Sequence, residues 1–250
     1  MNIDLTELMK GLYVNKNYYV SIEPRITSLN NRRNRIDPDG KERDLSDYKE
    51  KESYISNNKY ILDFLQTLSP SKILDIGCGS GWILSELSSD WVKYGLEPNS
   101  KMYNYSPSSG KIINKKFEKE IFQKDEFDVI LSHHVIEHLK NPIIFIEEIK
   151  QILKNDGILI LGTPDFDSGC ARRFNGNYRL LHDPTHISLF SNDSMHRLLR
   201  DYDFDINKVE YPYFETEYFN KENLYKLFKI DDMSPPFYGN FMTFFCNNIK

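Results

Sequence analysis

"LDIGCGSG", residues 74–81, decides the fold. Together with the preceding Lys72 and Ile73 it reads as a short apolar strand that runs into three glycines, Gly77, Gly79 and Gly81. "GWILSELSSD" then continues as a helix. Gly77 and Gly79 permit a tight turn and close backbone approach, and Gly81 lets the helix pack closely on the sheet. A strand, a glycine turn and a helix in that order suit a nucleotide-like ligand, with a purely structural turn as the lesser alternative for the spaced glycines by themselves.

Working outward, the hydrophobic period keeps switching. "VKYGLEP" reads as a second strand, "GKIINKK" as a weak third and "FDVILS" as a fourth. Asn141 and Pro142 open a helix by the cap-then-proline rule, with Ile144, Phe145, Ile149 and Ile152 on its apolar face and Gly157 as its expected terminator. "ILILGTP" follows as another strand. Upstream, "NNKYILDFLQTL" is a helix whose face carries Ile61, Leu62, Phe64, Leu65 and Leu68. Downstream, "SNDSMHRLLRDY" is a helix with Ser191 as its cap, and "NFMTFFCNNI" is a strand expected to pair, hairpin-like, with the segment near "DINKVEYPY". Short apolar strands alternating with helices predict an α/β, doubly wound, mostly parallel sheet with its ligand at the C-terminal strand edge.

The chain has 250 residues, enough to bury a full core, with 40% hydrophobic and 28% charged residues and an aromatic excess of 16 Tyr and 16 Phe. A formal net charge of -5 supplies no general attraction to nucleic acid or anionic membrane, so a small-molecule partner is expected. No membrane-spanning run is present, the polar start is unlike a secretory signal, and a cytoplasmic protein is expected. Cys78, Cys170 and Cys246 lie far apart and read as reduced thiols. Residues 1–57 read as an N-terminal cap or lid with a basic run (Arg25, Arg32, Arg33, Arg35, Arg43). Residues 58–250 read as the main domain, with an acceptor-site insert around 165–190. Nothing in the sequence fixes an oligomeric state.

With Asp75 before the glycines, Glu97 ending the second strand in "GLEPN", then "FDVILSHHVIEHL" and "ILKNDGILILGTP", residues 58–164 resemble the class I S-adenosylmethionine-dependent methyltransferases, especially their UbiE-like and surface-polysaccharide branches. That resemblance implies a Rossmann-like, mostly parallel seven-stranded sheet with an antiparallel C-terminal strand, and S-adenosyl-L-methionine as cofactor. It implies further that Gly77, Cys78, Gly79 and Gly81 surround the methionine portion, with Asp75 as organiser, and that Glu97, followed by Pro98, accepts the ribose hydroxyls. A carboxylate suits that task because its two oxygens accept two directed donors. Phe117 and Glu118 fall where the family contacts adenine, and Ser132 and His133 flank the cofactor.

His134, Glu137 and His138 also spell H-x-x-E-H, a zinc-protease signature. That motif needs a helix, whereas this string leaves a strand and meets Asn141-Pro142 almost at once, so no metal is expected and His138 reads as structural. Methyl transfer to a protonated acceptor benefits from a histidine that titrates near neutral pH. By the resemblance, His186 in "HDPTHISLFS" is the leading candidate base, with His134 and His182 beside it. Arg172, Arg173 and Arg179 are candidates for orienting an anionic acceptor, and Tyr238 and Asn240 for bordering it. The expected reaction is O-methylation of a sugar, nucleotide-linked sugar or phosphate-bearing precursor of a bacterial surface glycan. N- or C-methylation of another metabolite, or a non-catalytic cofactor-binding scaffold, is the alternative.

Overall fold

A computed structural model describes residues 3–23, 34–36, 42–44, 48–99 and 107–250. In chain order these form α1 (Leu5–Val14), β1 (Val20–Ser21), β2 (Asn34–Ile36), β3 (Glu42–Asp44), α2 (Tyr48–Asn57), α3 (Lys59–Gln66), β4 (Lys72–Ile76) and α4 (Trp82–Ser85). They continue with β5 (Val92–Leu96), β6 (Lys111–Ile113), β7 (Phe127–His133), α5 (Pro142–Ile152), β8 (Leu153–Pro164) and α6 (Gly169–Phe174). The last are β9 (Ser188–Leu189), α7 (Asn192–Asp201), β10 (Phe204–Glu210), α8 (Lys221–Lys226) and β11 (Phe241–Asn248). Arg25, Arg32 and Arg33 of the basic run lie outside the described residues. Among the described residues, no helix is long and apolar enough to cross a membrane.

The main sheet has seven strands in the order β6-β5-β4-β7-β8-β11-β10. The first five are parallel, and β11 runs antiparallel to both of its neighbours, as the sequence implies. The chain leaves β4 for β5 and β6 on one side, then returns to place β7 on the other. The crevice beyond β4 and β7 is therefore the switch point of the sheet, where open α/β sheets hold ligands. Strand alternation sorts the core cleanly. Leu74, Ile76, Ile130, Leu159, Leu161 and Phe244 face α5 and α7. Their neighbours Ile73, Val129, Leu131, Ile160 and Phe245 face α3 and α4. Both faces of the central strands are buried, which is why those strands read as near-continuous apolar runs.

Two local expectations give way. The helix after the glycine loop is a single turn, with the Ser85 hydroxyl donating to the Trp82 carbonyl at 2.7 Å. Serine side chains compete in this way with helix propagation. Gly157 does not terminate α5: Leu153 already takes an extended conformation and pairs with Phe127. The next pair of the ladder is Val129 with Ile158, so Gly157 lies in an irregularity of β8, a usual place for a strand glycine.

A third core joins segments far apart in sequence. Leu5, Met9 and Leu12 of α1 pack with Phe166, Cys170, Phe174, Tyr178, Leu180 and Leu181 of the insert. Asp4 caps α1, and the side chain of Asn175 in the insert accepts from the Leu5 amide at 2.5 Å. Strand β1 then pairs with β9 through Val20–Leu189 and Ser21–Ser188. Leu12 is fully buried, so Leu12→Ala is expected to cost about 2–5 kcal/mol locally. Hydrogen exchange checks where: amides of Cys170–Phe174 should exchange faster while those of Ile130 and Leu159 stay slow.

Candidate active site

The C-terminal edge of β4 and β5 carries two buried carboxylates, Asp75 and Glu97. Between them runs the glycine loop, anchored by the Gly77 amide donating to the Leu96 carbonyl at 2.7 Å. Gly77 has φ +76°, and a Cβ there would meet Val135 Cγ2 at 2.4 Å, so both backbone conformation and space require glycine. The Glu97 carboxylate is fixed by two backbone donors, Gly79 N–H at 3.1 Å on Oε2 and Asn99 N–H at 2.8 Å on Oε1. Burial nonetheless raises its pKa above the ordinary carboxylate value. Asp75 has no hydrogen-bond donor among the described residues; burial, with the Glu97 charge second, pushes its carboxyl up to about 8. Cys78 lies buried beside them, its thiol raised by the same burial.

The next edge belongs to β7. Ser132 is buried, and its hydroxyl has no partner among the described residues. His133 Nε2 lies 3.1 Å from the Tyr60 hydroxyl, which is 2.8 Å from the Thr243 hydroxyl. The ring crosses β8 at Gly162, where a Cβ would sit 1.9 Å from His133 Cδ2. His134 follows with φ +59°, an uncommon backbone for histidine; its amide donates to the Gly162 carbonyl at 2.9 Å. That turn aims Nδ1 at Glu137 Oε1, 3.1 Å away, while Thr163 donates to Oε2 at 3.1 Å. Glu137 is completely buried. Burial alone would raise its carboxyl, but the His134 hydrogen bond and the nearby His138, His134 and His186 hold it at about 2.

The expected residues do not all converge. His186 is buried against His138, ring centroids 4.9 Å apart, and burial with the neighbouring His138 lowers its pKa to about 4. His182 is exposed and donates from Nε2 to the Gly176 carbonyl at 2.9 Å, apart from that group. Arg172 is tied to Asp167 by two hydrogen bonds of 2.8 and 2.7 Å, Arg173 donates to the Leu227 carbonyl, and Arg179 is buried. Asn240 is buried, with its Oδ1 unpartnered among the described residues. Tyr238 is exposed and packs against Tyr211 and Phe214 at centroid distances of 5.7 and 5.4 Å. Phe117 packs edge-on against Phe145 of α5, and Pro98 and Glu118 are exposed.

Sequence reasoning missed Asp165, just past β8 in "GTPD". It is buried, and although the Asp167 amide donates to it, desolvation pushes its carboxyl up to about 7. Its signal was an acid at a strand end. Tyr60 and Thr243 were also missed, because only folding brings α3 and β11 to His133.

A glycine turn after the first strand, an acid ending the second and a polar edge on the fourth define a Rossmann-type fold built to hold a nucleotide-derived cofactor. A family model described as a methyltransferase domain matches residues 48–209, and the chain belongs to that family. It is 33% identical over 143 residues to a ubiquinone biosynthesis O-methyltransferase of Pelagibacter ubique, covering 51% of this chain and 58% of that one. It is 35% identical over 96 residues to an uncharacterized protein of Methanocaldococcus jannaschii, covering 38% and 45%. The chain thus spans only about half the length of these curated relatives. The fold is shared with a Haloferax volcanii methyltransferase solved in complex with the Trm112 methyltransferase activator (TM-score 0.62, 14% identity, 81% and 92% coverage). It is shared too with the Burkholderia thailandensis 1,6-didemethyltoxoflavin-N1-methyltransferase bound to S-adenosylhomocysteine (TM-score 0.56, 11% identity, 81% of each chain).

The residues present fit S-adenosylmethionine. Glu97 is held rigidly yet keeps lone pairs for two hydroxyl donors, and the buried Asp75 awaits a donor or cation. Without ligand, Asp75 should cost stability. Its folded-state pKa of about 8 lies far above the ordinary aspartate value, so the folded state holds the proton more tightly and stability falls as pH rises from about 4 to about 8. Asp75→Asn is expected to remove that part of the slope and to raise unliganded stability at pH 8 by ~1 kcal/mol or more. Thermal melts of both proteins across this pH window check it.

Proposed function

We propose that this protein is an S-adenosylmethionine-dependent O-methyltransferase acting on a small acceptor. The single observation that carries the reading is the buried Asp75–Glu97 pair around the glycine loop. S-adenosylmethionine bound there supplies an electrophilic methyl group on a sulfonium. Glu97 accepts the ribose hydroxyls, and Asp75 meets the cationic methionine end. His134 is the proposed proton acceptor: with Nδ1 donating to Glu137, Nε2 keeps its lone pair, and the side chain remains about one-third exposed at 31%. Histidine–carboxylate pairs of this kind orient a general base.

A carbohydrate-like acceptor, of the kind found in bacterial surface glycan precursors, is supported by the rings of Tyr211, Phe214 and Tyr238, which offer flat apolar faces beside a polar insert. Arg172 must leave Asp167 before it can hold a phosphate. The same aromatic group favours a second reading, O-methylation of an aromatic acceptor, to which the ubiquinone-biosynthesis relative also points. Calorimetric titration with S-adenosylmethionine and S-adenosylhomocysteine tests the cofactor. Saturable binding weakened by roughly tenfold or more in Glu97→Ala is expected, since hydrogen bonds to a charged group are worth about 1.5–3 kcal/mol. Folded protein that binds neither ligand would remove the basis of the proposal. Transfer of labelled methyl to nucleotide sugars, or instead to catechol-type phenols, then separates the two acceptors.

A further inference from the structure

Glu137, His138 and His186 come together although 48 positions separate the two histidines in sequence, and one ligand-type atom from each lies within 4.8 Å of the other two. We propose that these three residues bind one divalent metal ion of zinc-like chemistry, through a Glu137 carboxylate oxygen and the Nε2 atoms of His138 and His186. The inference stands on this geometry alone and does not require methyl transfer.

The ring tautomers are already set for it. His138 Nδ1 lies 3.1 Å from the Thr185 carbonyl, and His186 Nδ1 lies 2.6 Å from the Leu180 carbonyl. A carbonyl only accepts, so in both rings Nδ1 carries the proton, and in the neutral imidazole Nε2 is left with a lone pair. Metal-binding histidines are fixed in the same way, by donating their second nitrogen to a carbonyl or carboxylate. His138 Nε2 faces Glu137 Oε1 at 4.0 Å. Glu137 is oriented independently by Thr163 on one oxygen and His134 on the other.

Glu137 is a fully buried carboxylate kept in its charged form by the hydrogen bonds from His134 and Thr163, so it presents an anionic oxygen suited to a cation. Around a four-coordinate zinc with bonds of about 2.0–2.2 Å, ligand atoms are roughly 3.3 Å apart, so the three atoms need to close in by about 1 Å. Two imidazoles and one carboxylate leave at least one coordination position open, as in zinc sites that hold water or substrate. Nitrogen donors also disfavour magnesium, which prefers an all-oxygen octahedron.

Tag-free protein, stripped with chelator and dialysed, should be titrated with cobalt(II), whose visible absorption reports its coordination without any need for turnover. One ion per chain is expected, displaced by zinc and not by equimolar magnesium. Affinity should fall at least tenfold in His138→Gln and His186→Gln and should be unchanged in His182→Gln. His138 is only partly buried, so its variant retains a test if the His186 variant misfolds, as checked by circular dichroism. Absence of cobalt binding by folded wild-type protein, undiminished binding by folded His138→Gln, or displacement by magnesium as readily as by zinc would overturn the proposal. Intact S-adenosylmethionine binding in a protein that takes up no metal would confine the failure to this inference.

Discussion

A single buried carboxylate, Glu137, joins the parts of this molecule that meet at the sheet edge. Its oxygens take hydrogen bonds from Thr163 of β8 and from His134 just past β7, and its carbonyl accepts from Ile187 of the insert at 2.9 Å. Two adjacent strands and the segment following them are thus referred to one residue. The strained turn at His134 is intelligible in this light: a backbone conformation that costs of order 1–3 kcal/mol persists because the Gly162 carbonyl holds its amide and Glu137 holds its ring.

A second tension lies across the crevice. Asp75 and Glu97 are desolvated together, and the Glu97 charge makes Asp75 harder still to ionise, an arrangement a protein selected only for stability would have replaced with apolar residues. Sites that recognise a charged ligand commonly carry such a cost until the ligand arrives. Asp165, pushed up by burial in the same edge region, extends this character towards the insert.

The sheet was largely legible because it obeys simple periodicities. The apolar runs at 72–76, 127–133 and 158–164, separated by a glycine turn and a proline-led helix, leave little freedom in the order of parallel elements. The short helix α4 and the irregular start of β8 were not legible, since serine side-chain competition and a register shift leave no periodic trace. The site divides in the same way. Asp75, the glycines and Glu97 stand next to strands and were readable from position. The grouping of His186 with His138, and of Tyr60 with His133 and Thr243, depends on separations of 48, 73 and 110 residues that only tertiary packing closes. Spacing likewise could not show that Arg172, Arg173 and Arg179 point to three different surroundings.

The core shared by α1 and the insert has a bearing on how this fold could be recombined. Residues 165–190 look, in sequence, like a cassette that could be exchanged as one piece, but their apolar face is completed by Leu5, Met9 and Leu12 from the other end of the chain. A chimera that carries over the cassette alone would leave that face bare to water, and one that carries over the helix alone would give it nothing to rest on. The transferable unit of this packing is therefore a split one, two pieces of sequence that must travel together although more than 140 residues separate them.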